Sequence, residues 1–253
     1  MNWIDLAMAD TSTQGRIRAM EAFISAWYGP WKPEHGIDGV DARTDLPDAL
    51  RWFYGRHGRR KELITYNNLA GPDDKWQPYI EGGAPPAGDR RVFLSENQGV
   101  YVWGHDPGEA DPRVWCALNE TGGAWAAEEE TLAGFMFQLL LCELHGPNHT
   151  IAYWIDREQY ELIASRFQSL PLAPRSFVIR WDDPDLDYGE FRGAFLAGAT
   201  VVVAAAPEIE RRIFVDIKSQ TQSAIDELHG LLPGDHWDNP CWLSDMMKGR
   251  GNL

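Results

Sequence analysis

The run Arg91-Val92-Phe93-Leu94-Ser95-Glu96-Asn97-Gln98-Gly99-Val100-Tyr101-Val102-Trp103 constrains this chain more than any other stretch. It predicts strand, tight connection, strand. Val92, Phe93 and Leu94 form a short apolar run, and Val100 to Trp103 are all β-branched or aromatic, the types that suit a pleated, half-buried surface. Gly99 supplies a residue that turns without steric cost. Alternation along a strand sends Val100 and Val102 to one face and Tyr101 and Trp103 to the other. Both faces are apolar, which places this strand inside a sheet covered on both sides. After an Asp/Gly/Pro-rich stretch, Val114-Trp115-Cys116-Ala117-Leu118 reads as a third strand and completes a meander. Glu96 and Asn97 are expected to bond to the turn backbone.

Helical patterns stand on either side. Asp10-Thr11-Ser12-Thr13 caps a helix that carries Ile17, Met20, Phe23, Ile24 and Trp27 and ends at Gly29-Pro30. Leu46-Pro47 opens a second, with Leu46, Leu50, Phe53 and Tyr54 on one face and Gly58 as its stop. Past the meander, Glu128-Glu129-Glu130 reads as the first turn of a third, its acids at the positive end of the helix dipole. Leu132, Phe135, Met136, Leu139 and Leu140 form its stripe and Phe137 and Leu141 fill the far side, the pattern of a central helix. Further on come a helix from Glu158 to Phe167, strands at 177–179, 199–204 and 213–217, and a helix from Thr221 to Leu232. The fold class is α+β, with a mixed or antiparallel central sheet flanked by helices. One domain spans residues 1–253, and 171–253 is its C-terminal extension, the weakest point being the connection from Pro171 to Pro174.

Charge sets the partner class. With 38 acidic against 23 basic side chains, the formal charge is −15. A general nucleic-acid binder needs a basic patch to displace counterions, so none is expected. An acidic surface suits solubility, or fast capture of a basic partner. Three cysteines without a close pair give neither a disulfide scaffold nor a zinc site. His145 and His149 have metal-ligand spacing, but Gly146-Pro147 breaks the helix that such a pair needs. Asp183, Asp185 and Asp187 alternate like a calcium loop, yet Tyr188 and Ala194 stand where that loop requires Gly and Glu. No phosphate loop, dinucleotide fingerprint or nucleophile elbow occurs, so neither cofactor nor metal is expected. No basic leader followed by an apolar core opens the chain, and the apolar block from Gly134 to Leu144 is too short to span a bilayer. The expected location is the cytoplasm, with no membrane contact.

Three local patterns, taken in order, carry a resemblance. They are Leu46-Pro47-Asp48-Ala49-Leu50-Arg51-Trp52-Phe53-Tyr54; Glu96-Asn97-Gln98-Gly99-Val100-Tyr101-Val102-Trp103 followed by Asp111-Pro112-Arg113-Val114-Trp115; and the buried helix from Thr131 to Leu144. Together they resemble the SUKH superfamily, the Smi/Knr-like domain, over about Gly15 to Leu144. The resemblance implies a helix-flanked α+β fold without catalytic residues. It also implies a bacterial immunity protein that neutralises a toxin, often a nuclease, by direct binding; other members are fungal cell-wall regulators.

The expectation is therefore a non-catalytic protein-binding domain whose partner is a basic, nuclease-like toxin. Asp182, Asp183, Asp185, Asp187, Glu128 and Glu129 are the candidate acidic contacts. Trp103 and Trp115 are candidate aromatic anchors, because aromatic side chains dominate binding hot spots. The alternative is an enzyme with a small-molecule pocket beside the sheet, using scattered His, Glu or Cys residues.

Overall fold

The computed structural model describes residues 2–74, 89–120, 123–144, 149–173, 193–209 and 211–231. They fall into two compact units. The first takes the described residues of Met1–Gly146 and Pro171–Arg180, and the second those of Pro147–Leu170 and Trp181–Leu253. The chain changes unit at Pro171. The change is a return: residues 171–173 rejoin the first unit.

In the first unit a meander forms as its sequence requires. Strands β1 (Asn68–Leu69), β2 (Arg91–Ser95), β3 (Tyr101–His105), β4 (Arg113–Leu118) and β5 (Ala126–Thr131) lie in the order β1-β2-β3-β4-β5, all antiparallel. β3, apolar on both faces, is the central strand. The β2–β3 turn places Gly99 at φ 71°, a left-handed conformation that glycine adopts without strain. The Gly99 N–H donates to the Glu96 carbonyl at 2.8 Å, and the Glu96 carboxylate accepts from the N–H groups of Gln98 at 3.0 Å and Val100 at 3.3 Å. Glu96 thus serves the turn itself.

Four helices complete this unit: α1 (Trp3–Ala9), α2 (Thr13–Tyr28), α3 (Asp48–His57) and α4 (Leu132–Cys142). Ser12 caps α2, its hydroxyl accepting from the Gly15 N–H, and Gly29 ends it at φ 86°. α3 follows Pro47 and closes at Gly58, whose N–H bonds to the Tyr54 carbonyl. Gly36 packs against α3 so closely that a Cβ there would stand 1.9 Å from the Gly55 carbonyl oxygen. Leu132 to Leu141 of α4 are all buried. Phe135 meets Phe93 and Trp103 of the sheet, with ring centroids 5.8 and 6.1 Å apart, while Phe137 meets Trp3 of α1 and Phe23 of α2 at 6.2 and 6.1 Å. One all-apolar helix therefore packs on both the sheet and the outer helices.

Two departures from the sequence expectation concern the helices of this unit. α1, seven residues long, is held by a capping box in which Asn2 and Asp5 exchange backbone and side-chain bonds. Residues Glu128-Glu129-Glu130 lie in β5, and the helix starts at Leu132. Pairing with β4, through Arg113↔Thr131, Trp115↔Ala127 and Cys116↔Ala126, outweighs the weak dipole preference that suggested a helical first turn. A carboxylate still serves the start of α4, but it is Asp111. Its Oδ1 accepts the Ala133 N–H at 2.9 Å, and its Oδ2 accepts the hydroxyls of Thr13 at 2.7 Å and Thr131 at 2.9 Å.

The returning segment is clasped by the same helices. Arg16 of α2 donates to the Pro171 carbonyl, Gln138 of α4 donates to the Ala173 carbonyl at 2.5 Å, and the Ala173 N–H donates to Glu130 at 2.6 Å.

The second unit is a five-stranded antiparallel sheet of β6 (His149–Ile155), β7 (Gln168–Ser169), β8 (Ala194–Ala197), β9 (Val201–Ile209) and β10 (Arg212–Ser219), with α5 (Arg157–Ala164) and α6 (Gln222–Leu231). Its order is β6-β10-β9-β8-β7. Tyr153, Val203, Val215 and Ile217 from the sheet bury against Tyr160 and Ile163 of α5 and Ile225 and Leu228 of α6. The β-branched run from Val201 is a buried strand, as its composition requires. The strand expected at 177–179 lies outside the described residues. Both units are α+β, with antiparallel sheets and flanking helices.

Candidate functional site

Asp182, Asp183, Asp185 and Asp187 lie outside the described residues. Trp103 and Glu128 do not reach the surface. Trp103 is 0% exposed and Glu128 4%, and the indole Nε1 donates to Glu128 Oε1 at 2.8 Å. An indole N–H enclosed in a core must find an acceptor, and here it draws a carboxylate inward. This corrects the expectation that either residue is a partner contact: both are core. Their neighbour Glu129 points the other way along β5 and is exposed.

Trp115 is half-buried on β4. The Arg90 guanidinium lies 3.8 Å from its ring centroid and that of Arg113 5.9 Å, and its Nε1 donates to Asp106 Oδ2 at 2.9 Å. Asp106 also pairs with Arg90 at 3.3 Å. Side chains of the same unit therefore engage both the ring and the N–H of Trp115.

The helices of the first unit build a different centre. Glu21 of α2 faces the end of α3. Its Oε2 stands 3.1 Å from His57 Nε2, and its Oε1 accepts from Arg56 Nη2 at 3.1 Å. Burial works against the Glu21 charge, but the hydrogen bonds from His57 and Arg56, aided by their positive charge, hold its pKa down at about 2. The His57 side chain is fully enclosed, its ring 5.3 Å from that of Trp52 and 6.2 Å from that of Phe53. The Arg56 guanidinium lies 4.2 Å over the ring of Trp31.

Beside this cluster is a hollow of about 500 Å³. Leu6 of α1, Ala22 of α2 and the loop residues Pro30 and Trp31 supply its apolar lining; Arg18, Glu21, Ser25 and Arg56 supply the polar part. A carboxylate that stays ionised down to about pH 2 is a poor proton acceptor near neutrality. His57 has one ring nitrogen on Glu21, and the other, Nδ1, is enclosed without a partner among the described residues. The arrangement is suited to holding a ligand rather than to moving a proton.

A third buried polar centre is structural. Glu143, 1% exposed at the end of α4, accepts the backbone N–H groups of Thr65 at 2.8 Å, Tyr66 at 2.6 Å and Asn67 at 3.1 Å. One carboxylate thereby fixes the chain leading into β1.

Neither Glu21 nor Glu143 is announced by a motif. Their partners lie tens of residues away, and each reads locally only as an acid interrupting an apolar pattern. Among the described residues, no group of three or more His, Cys, Asp or Glu side chains is placed to hold a metal ion, and no helix is long and apolar enough to cross a membrane. Compared with protein-family models, curated proteins and solved structures, the chain finds no match.

Proposed function

We propose that this protein is a non-catalytic, cytoplasmic binding protein of the immunity type, which neutralises a basic, nuclease-like toxin by covering it. The formal charge of −15 carries this reading. Opposite charge raises association rates from about 10⁵–10⁶ to as much as about 10⁸–10⁹ M⁻¹s⁻¹ at low salt, and a fast inhibitor protects its host best. The order of elements in the first unit supports it too. A Leu-Pro helix, a meander and a buried apolar helix succeed one another in α3, β2–β4 and α4, the order on which the SUKH resemblance rests. Glu129 and the acids at 182, 183, 185 and 187 are the proposed contacts; Trp103 and Glu128 drop out because they are buried. The enzyme alternative draws less support, since the hollow of the first unit lies among helices and its carboxylate is committed to Arg56 and His57.

The test is affinity capture from the native host at low salt with stepwise salt elution, followed by co-expression of any captured protein. A single basic protein, released by salt and toxic when expressed without this chain, is the expected result. No stable partner at any salt, or toxicity unchanged by this chain, overturns the proposal.

A further inference from the structure

We propose that the hollow between α1, α2 and α3 is a binding site for a small monocarboxylate with an apolar body. The inference stands apart from the docking of an acidic surface onto a basic protein. It rests on how the lining divides. Leu6, Ala22, Pro30 and Trp31 offer apolar surface, and the guanidinium groups of Arg18 and Arg56 border the same space.

Both guanidinium groups keep donors to spare. Arg18 gives Nη2 to Asp10 at 2.5 Å, and Arg56 gives Nη2 to Glu21 at 3.1 Å, while each guanidinium carries five N–H donors. Their side chains remain 56% and 39% exposed, so part of each guanidinium side chain is open to solvent. Arg56 is also held in place, stacked on Trp31 and anchored by Glu21, which reduces the entropy a ligand must overcome.

Glu21 is part of the lining and sets the charge the site accepts. Its carboxylate is engaged on both oxygens, by Arg56 and His57, so it repels an anion less than a free carboxylate does. The two guanidinium groups are matched by the carboxylates of Asp10 and Glu21, so the lining carries no surplus positive charge, and a ligand's single carboxylate is held by the free N–H donors rather than by net attraction; a second negative charge would find no counterpart. The volume of about 500 Å³ falls within the ordinary range for small-molecule sites, roughly 300–1,000 Å³. The hollow is open on its outer side, so a chain or ring of several carbons lies against Leu6 and Ala22 with its far side in water and the carboxylate turned to the guanidinium groups.

Isothermal titration of the full-length protein with octanoate and with cyclohexanecarboxylate tests this, each against its neutral amide. Saturable binding of both acids is expected at millimolar concentration or below. The amides should bind at least tenfold more weakly, as should the acids to Arg18→Gln, a change at an exposed helix position that leaves the Glu21–His57 pair intact. Ala22→Trp fills the hollow and should abolish binding, with unaltered circular dichroism showing that the fold persists. No saturable binding of either acid overturns the proposal. So do equal affinity for acid and amide, and wild-type binding by a folded Ala22→Trp variant.

Discussion

Glu143 shows how much one side chain organises. Its buried carboxylate takes three consecutive backbone N–H groups, those of Thr65, Tyr66 and Asn67, from a segment that otherwise runs at the surface. Glu143→Gln keeps one acceptor oxygen but turns an NH₂ group toward those donors. We expect a loss of roughly 2–3 kcal/mol, read as a lower urea midpoint at unchanged slope. Glu21 gives a pH signature instead. Its pKa is about 2 in the folded protein against an ordinary 4.5, so the unfolded chain takes up the proton first as pH falls. The stabilisation is complete above pH 4.5 and disappears between 4.5 and about 2. Allowing for its partial exposure, the amount is about 2 kcal/mol. Urea midpoints at pH 6, 4 and 3 should fall more steeply for the wild type than for Glu21→Gln; parallel curves contradict the assignment. At this scale the sequence was least legible. Trp103 reads as an anchor only because aromatic side chains dominate hot spots, while the two apolar faces of its strand already point to a covered position. The closing of Glu128 onto its indole completes that cover.

At the scale of elements the sequence spoke clearly where local chemistry and packing agree. The strand-turn-strand around Gly99, the cap at Ser12 and the Leu-Pro start of α3 all appear where the residues place them. Failure came at Glu128-Glu129-Glu130, where a weak local preference met a strong cross-strand pairing and lost. The acid serving the start of α4 is Asp111, which no local pattern links to Ala133. Two glycines test the packing of elements. Gly36→Ala places a methyl 1.9 Å from the Gly55 backbone oxygen, so the loop at Gly36 and α3 must separate; we expect a loss of about 2 kcal/mol or more in thermal or urea unfolding. Gly99→Ala strains the left-handed turn and should cost about 1 kcal/mol or more.

For the whole molecule, charge is the dominant property. The sequence pI is about 4.8, so self-repulsion vanishes near that pH, just as the Glu21 pair begins to weaken. Light scattering across pH 4–7 should show self-association rising sharply toward pH 4.8 and receding when the net charge is restored. Partner capture, by the same reasoning, should slow at least tenfold in stopped-flow mixing between about 20 and 500 mM salt. The division into two units was not legible in the sequence, because the segment that returns at Pro171 is marked only by prolines that suit any connection. That return has a practical meaning for the molecule's integrity. The chain leaves the first unit before His149, re-enters at Pro171, where Arg16 and Gln138 grip it, and is in the second again by Gly193. The chain thus passes between the two units more than once. A protease that severs any one crossing frees neither half, and no single truncation of the gene yields either one alone.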